Sequence, residues 1–202
     1  MEQNNPKLSP FLIAGLGNPG RQYKTSRHNI GFMLVDQLAA KLDTSFSREE
    51  SRALVCKKKY ENRSIILAKP QTFMNLSGQA VGALVKFYKI PLENLMIVND
   101  DVDLPFGKIR IRPSGGSAGQ KGVVSIIDRL GTNEFPRLRI GLGHPPGRMQ
   151  AASYVLRDFS QEELDFLPEI LDRSADAVLT FVSLGLVTAM NQYNSYANGE
   201  SE

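Results

Sequence analysis

Apolar residues along this chain occur both in short continuous runs and at helical spacing, and the two patterns alternate. Short apolar or alternating runs predict strands, whereas apolar residues repeated every three or four positions predict helices. The predicted strands are residues 11–16, 53–60, 63–69, 95–98, 108–112 and 137–142. The predicted helices are 26–42, one capped by Asn75 or Ser77 that runs to Tyr88, 122–130, 161–182 and 187–196.

Strands that alternate with helices predict an α/β fold, a twisted sheet flanked by helices. Only Glu61 and Asn62 separate strands 53–60 and 63–69, so they should form a hairpin and the sheet should be mixed. The 202 residues suit a single domain spanning 1–202, with 1–9 as a flexible N-terminal extension. Ligands of such sheets bind where loops leave the strand ends, here after Leu16, Val98 and Arg112.

Composition and charge narrow the class of protein. The chain is 42% hydrophobic and 22% charged, as in ordinary globular domains. Neither a signal peptide nor an apolar run of about 18 residues is present, which predicts a cytoplasmic protein rather than a membrane one. Residues 105–148 contain eight basic and two acidic residues, a net +6, whereas 161–176 is acidic. This asymmetry indicates an anionic partner such as nucleic acid, or else a solvated surface.

Two glycine-rich segments are similar to nucleotide-binding loops but depart from them. The segment GLGNPG, residues 15–20, has G-x-G-x-x-G spacing. However, Pro19 removes a backbone N–H, the next helix starts only near Ser26, and Asp36 lies inside that helix instead of at a strand end. In residues 115–122, Gly122 stands where a phosphate loop needs Ser or Thr. A nucleotide-dependent oxidoreductase is therefore disfavoured, and the second segment is either a general anion-binding helix start or a flexible connection.

His28 is the candidate general base. The chain has two histidines, and His144 lies in a Gly-His-Pro-Pro turn, whereas His28 lies at the start of a helix beside the loop that holds Asn18. A general base needs a partner for its other ring nitrogen, and Asp100 at a strand end could reach it, although spacing alone leaves this pairing open. Neither metal-ligand spacing nor a G-x-S-x-G motif occurs, so we predict no metal, no cofactor and water as the nucleophile.

Five stretches of the chain together resemble the bacterial-type peptidyl-tRNA hydrolases. They are GLGNPG followed by Y-x-x-x-RHN-x-G (15–31), KPQTFMNLSG (69–78), DDVDLPFGKIRIR (100–112), GGSAGQKG (115–122) and FPRLRIGLGHP (135–145). They occur in the order of the family with its approximate spacing, and the resemblance extends over about 190 of the 202 residues. The resemblance implies a monomeric α/β enzyme of translation and ribosome rescue that hydrolyses the ester between an N-blocked peptide and tRNA without a metal.

The resemblance also implies roles for individual residues. His28 would activate water and Asp100 would orient His28. Asn18 would distinguish an N-blocked aminoacyl group from a free one, and Asn75 would bind the substrate and the attacking water. The further implied contacts are Phe73 and Met74 with the substrate in the cleft, Tyr23 with the tRNA end, and Arg112 and Arg139 with tRNA phosphates.

The chain departs from the family pattern at Gln120-Lys121-Gly122, where much of the family has H-N-G with its Asn as a substrate contact. Lysine cannot accept a hydrogen bond, so we expect the Lys121 ammonium to contact a phosphate or ribose near the tRNA terminus. A non-catalytic RNA-binding relative of the same fold is the alternative interpretation. RNA binding alone would not require the four polar residues Asn18, His28, Asn75 and Asp100, which favours the hydrolase.

Overall fold

The computed structural model describes residues 9–194, and its elements follow the alternation seen in the sequence. The strands are β1 (Phe11–Gly15), β2 (Arg48–Glu50), β3 (Ala53–Tyr60), β4 (Arg63–Pro70), β5 (Leu95–Asp101), β6 (Ile109–Arg112) and β7 (Arg137–Gly141). The helices are α1 (Ile30–Lys41), α2 (Ser77–Tyr88), α3 (Lys121–Leu130), α4 (Ala151–Val155), α5 (Gln161–Leu184) and α6 (Leu186–Asn194). All but the last residue of the predicted N-terminal extension, and the last two residues of predicted helix 187–196, lie outside the described residues.

All seven strands form one sheet in the order β2-β3-β4-β1-β5-β7-β6. The four central strands β4, β1, β5 and β7 are parallel, and β3 pairs antiparallel with β4 through the predicted hairpin. β6 pairs antiparallel with β7 at the other end of the sheet. The predicted single domain with a mixed sheet flanked by helices is therefore confirmed.

Helices cover both faces of the sheet because successive side chains of each central strand point to opposite sides. Ile13 and Val98 belong to the core that includes buried residues of α1 and α5, whereas Leu12 and Ile97 belong to the core formed with α2 and α3. Cys56 is buried on β3, as expected for a packed small hydrophobic residue. Within residues 9–194, no helix has both the length and the apolar character needed to cross a bilayer.

Several boundaries differ from the predictions for identifiable reasons. β5 continues past Val98 to Asp101, because Asn99, Asp100 and Asp101 pair with β7 and so keep an extended backbone despite their polarity. Neither Asn75 nor Ser77 caps α2, and the Ser77 hydroxyl instead donates to the Met74 carbonyl, 2.8 Å away. Strand β2 and helix α4 were not predicted, since three and five residues are too few to show a period.

Candidate active site

A cleft of about 520 Å³ opens at the carboxyl ends of β1, β4 and β5, where ligands of open α/β sheets bind. It brings together eight of the ten predicted site residues: Asn18, Tyr23, His28, Phe73, Met74, Asn75, Asp100 and Lys121. The predicted loops after Leu16, Val98 and Arg112 all contribute to it, the last through residues 117–120. Residues far apart in the sequence thus surround one cavity.

His28 and Asp100 form a hydrogen-bonded pair in this cleft. The Nδ1 atom of His28 lies 2.7 Å from Oδ2 of Asp100. His28 lies in a short 3-10 helix, Arg27–Asn29, that leads directly into α1, and Asp100 is the sixth residue of β5. The Asp100 side chain is only 3% exposed, and that of His28 is 12% exposed. Among the residues that the structure describes, none hydrogen-bonds to His28 Nε2, so this nitrogen is available to a ligand in the cleft.

The second oxygen of Asp100 also has a partner, which the sequence did not suggest. Nε2 of Gln120 donates to Asp100 Oδ1 at 3.0 Å. Gln120 is the N-cap of α3, and its Oε1 accepts the backbone N–H of Val123 at 2.8 Å. An N-cap role could have been inferred from its place before the helix, but the contact with Asp100 joins residues 20 positions apart and leaves no local signal.

Asn18 is held so that one functional group faces the cleft. Its backbone N–H donates to Asn29 Oδ1 at 2.8 Å, and its carbonyl accepts from Asn29 Nδ2 at 2.9 Å. Its side-chain Oδ1 accepts the backbone N–H of Met74 at 2.8 Å. Because a backbone N–H can only donate, the amide orientation of Asn18 is fixed. Its Nδ2 makes no hydrogen bond within residues 9–194 and remains as a donor at the cleft.

The rim of the cleft is partly apolar and partly cationic. Met74 is buried beneath Asn18, whereas Phe73 is 57% exposed and Asn75 is exposed beside it. α4 and the residue after it supply an apolar wall of the cleft that the sequence did not suggest: Ala151, Ala152, Val155 and Leu156. Lys121 is exposed at the first position of α3. The cleft therefore offers both apolar contacts and a positive charge.

Arg112 and Arg139 do not line the cleft. Arg112 is exposed on the edge strand β6, and Arg139 on β7 forms an ion pair through its Nε with the buried Asp101 carboxylate. The neighbouring Arg137 is buried and donates to the carbonyls of Gly115 and Gly116, so it anchors the glycine-rich loop. Burial lowers the pKa of the Arg137 guanidinium, and the nearby charge of Arg139 lowers this pKa further.

Arg27, directly before His28, ties this site to the segment between α4 and α5. Its side chain forms an ion pair with Glu163 at 2.5 Å and donates to the carbonyl of Asp158. The guanidinium carbon also lies 4.6 Å from the centre of the Tyr154 ring, a cation–π contact. Glu163 in turn completes a capping box with Ser160 at the start of α5. These contacts fix the apolar wall relative to the short helix that carries His28.

Comparisons with known proteins identify the family of the chain. Residues 12–201 match the family described as peptidyl-tRNA hydrolase. A relative from Chloroflexus aggregans named peptidyl-tRNA hydrolase is 51% identical over 185 residues, which cover 91% of this chain and 98% of the relative. The chloroplastic peptidyl-tRNA hydrolase of Arabidopsis thaliana is 48% identical over 194 residues, 96% of this chain and 66% of the relative.

A solved structure supports the same assignment. The crystal structure of peptidyl-tRNA hydrolase from Acinetobacter baumannii superimposes with a TM-score of 0.85 and 35% identity, covering 93% of this chain and 95% of that one. Sequence and fold therefore agree over nearly the whole chain. The chain belongs to the peptidyl-tRNA hydrolase family.

Proposed function

We propose that the cleft hydrolyses the ester between an N-blocked peptide and the tRNA ribose, with His28 as the general base and Asp100 orienting it. Peptidyl-tRNA hydrolysis is the activity of the family; the roles of these residues are the proposal. The observation that carries it is the 2.7 Å contact between His28 Nδ1 and Asp100 Oδ2, which leaves Nε2 toward the cleft. A carboxylate that binds Nδ1–H selects the tautomer in which Nε2 is a base.

The reaction then needs one base and no covalent bond between the enzyme and the substrate. Nε2 of His28 takes a proton from water while the water oxygen attacks the ester carbonyl carbon. As the tetrahedral intermediate collapses, the bond to the ribose oxygen breaks and the imidazolium returns the proton to that oxygen. The products are tRNA with a free hydroxyl and a peptide with a carboxylic acid group, which releases its proton to the solvent to become the carboxylate. Asp100 stays ionised throughout and stabilises the transient imidazolium.

The fixed donor of Asn18 explains how the site would recognise an N-blocked substrate. An N-acyl group carries a carbonyl oxygen next to the α-nitrogen, whereas a free aminoacyl group carries an ammonium there. Since Asn18 Oδ1 is occupied by Met74, the group that Asn18 offers is the Nδ2 donor. A donor binds the acyl carbonyl and gains nothing from an ammonium, which itself only donates. Asn75, exposed on the rim, would bind the substrate and the attacking water.

Other cleft residues would contact the two ends of the substrate. Phe73 and Met74 offer apolar surface to the peptide, and Tyr23 would contact the tRNA end. Lys121 would bind a phosphate or ribose, because its ammonium is exposed at the rim. Arg112 is exposed and would bind a phosphate farther along the tRNA. Arg139 would bind another phosphate while its Nε stays paired with the Asp101 carboxylate. Such contacts are made to the tRNA sugar-phosphate backbone and do not depend on the bases, as is required of an enzyme that acts on tRNAs of many sequences.

The test is release of free tRNA from N-acetyl-aminoacyl-tRNA by the parent protein and by His28→Ala. His144→Ala is the matched control, since His144 is the other histidine of the chain and lies in an exposed turn. We expect His28→Ala to lose activity and His144→Ala to keep it. If the parent released tRNA no faster than His28→Ala, the proposed base would be wrong. Binding of tRNA without turnover would instead favour the non-catalytic RNA-binding alternative.

A further inference from the structure

We infer that Gln120 is a positioning residue for the reaction, because it holds the Asp100 carboxylate that orients His28. The inference rests on the proposed function and adds to it a residue outside the His28–Asp100 pair. Gln120 is buried, lines the cleft and touches both Asp100 and Met74. Its contacts define which way its amide must point.

The hydrogen bond at one end of Gln120 determines the hydrogen bond at the other. The backbone N–H of Val123 lies in the first turn of α3, where N–H groups have no partner within the helix. Its nitrogen lies 2.8 Å from one terminal atom of the Gln120 side chain. A backbone N–H can bind only an acceptor, so that atom is Oε1 and the atom facing Asp100 is the Nε2 donor. Nε2 lies 3.0 Å from Asp100 Oδ1 and 3.2 Å from the sulfur of Met74. The side chain is therefore locked with a donor toward the carboxylate.

Nε2 of Gln120 supplies the second hydrogen-bond partner of the buried Asp100 carboxylate. Asp100 offers Oδ2 to His28 and Oδ1 to Gln120, so each oxygen of a carboxylate that is 3% exposed has a partner. Without Gln120, Oδ1 would be left without this donor in a buried position, which is costly. The carboxylate would then gain from turning toward water in the cleft and would hold the imidazole less firmly. Gln120 thus restricts the rotation of Asp100 and, through it, that of His28.

Gln120 also caps α3, and the two roles can be separated by substitution. Gln120→Ser supplies a good N-cap acceptor for α3, but its hydroxyl is too short to reach Asp100 in the same way. Gln120→His offers an acceptor nitrogen for Val123 and a donor nitrogen for Asp100. Gln120→Asn likewise supplies an N-cap acceptor for α3, and its amide is one methylene too short to keep the same contact with Asp100. The three variants therefore vary the contact with Asp100 while each retains an acceptor for the helix.

The experiment measures kcat, KM and the melting temperature of these variants with N-acetyl-aminoacyl-tRNA, beside His28→Ala. Groups that orient a functional side chain typically contribute roughly 10- to 100-fold. We expect Gln120→Ser and Gln120→Asn to lower kcat by about tenfold or more with KM and the melting temperature near those of the parent, and Gln120→His to recover most of kcat.

Two results would overturn the inference. One is a kcat of Gln120→Ser or Gln120→Asn within about twofold of the parent, well short of the effect of an orienting group. The other is a kcat that falls only together with the melting temperature and is not recovered in Gln120→His, which would reduce Gln120 to a helix cap. Gln120→Asn decides the question if Gln120→Ser fails to fold. If His28→Ala is itself as active as the parent, the proposed function fails, and that outcome is distinct from either result for Gln120.

Discussion

Gly15 and Gly31 meet backbone to backbone where β1 packs against the start of α1. A Cβ atom on Gly15 would lie 2.1 Å from the carbonyl oxygen of Gly31, and one on Gly31 would lie 2.5 Å from the backbone nitrogen of Leu16. This approach brings the segment that carries His28 against the central strands, one of which carries Asp100. The first glycine of the G-x-G-x-x-G segment therefore serves helix–strand packing.

Replacing Gly15 with alanine should destabilise the fold. The added methyl group meets backbone atoms that cannot move aside, and overpacking of this kind costs about 1–3 kcal/mol. The free energy of unfolding in urea measures the effect. Gly116→Ala is the control, because a Cβ at Gly116 has no neighbour within 4 Å, and it should change stability by less than about 0.5 kcal/mol. Equal stability of the two variants would show that the close contact is unimportant.

Asn18→Asp separates the structural and functional ends of the Asn18 side chain. The carboxylate keeps an acceptor for Met74 N–H, so the melting temperature should stay near that of the parent. The variant loses the Nδ2 donor and leaves the N-acyl carbonyl of the substrate without its partner, which costs about 1–3 kcal/mol, so we expect kcat/KM to fall by about 10- to 100-fold. Asn18→Ala, which loses both contacts, should lose stability as well as activity. A kcat/KM of Asn18→Asp equal to that of the parent would exclude a role for this donor.

Arg27→Met should destabilise the protein and lower activity together. The Arg27 side chain is 9% exposed and its partner Glu163 is 17% exposed, and removing one member of such a buried pair costs about 3–5 kcal/mol. Activity should fall because Arg27 directly precedes His28 and holds the wall of the cleft. Arg157→Met is the control, since Arg157 is exposed in the same segment. Similar unfolding free energies for both variants would contradict the anchoring role.

Lys121→Asn should make the protein slightly more stable but lower its affinity for tRNA. A cation at the first position of α3 opposes the helix dipole, and its removal should gain about 0.3–1 kcal/mol. KM should rise, and the slope of log affinity against log salt should fall by roughly one unit. Lys89→Asn is the control: it removes the same charge beyond the far end of α2, at a left-handed position that Asn tolerates. An unchanged KM and salt slope in Lys121→Asn would remove the proposed contact.

The sequence allowed the fold and most of the cleft to be predicted, because the relevant signals are local. Apolar runs at 11–16 and 95–98 located two central strands, and the short gap at Glu61-Asn62 located the hairpin. Five contiguous stretches carried the family resemblance, so Asn18, His28, Asn75 and Asp100 could be named from the chain, and the structure brings them to one cavity.

What the sequence did not suggest depends on contacts between distant segments. Asn29 clamps the backbone of Asn18 and Gln120 binds Asp100, yet each residue alone is an ordinary polar side chain. Arg139 illustrates the converse, because the resemblance implied a contact with tRNA phosphates and gave no sign of the buried Asp101 carboxylate that the fold places beside it. The extension of β5 to Asp101 has the same origin, since pairing with β7 overrides the low strand propensity of Asn and Asp.

A double-mutant cycle on kcat tests most directly whether His28 and Asp100 act as one unit. It compares the parent with His28→Ala, Asp100→Asn and the double variant, using N-acetyl-aminoacyl-tRNA under single-turnover conditions. Asp100→Asn keeps the shape but offers the imidazole the wrong partner, and we expect a loss of roughly 100- to 10,000-fold. Since Asp100 acts through His28, the double variant should be no slower than His28→Ala alone. Losses that multiply in the double variant, or a His28→Ala protein with parental kcat, would contradict the account.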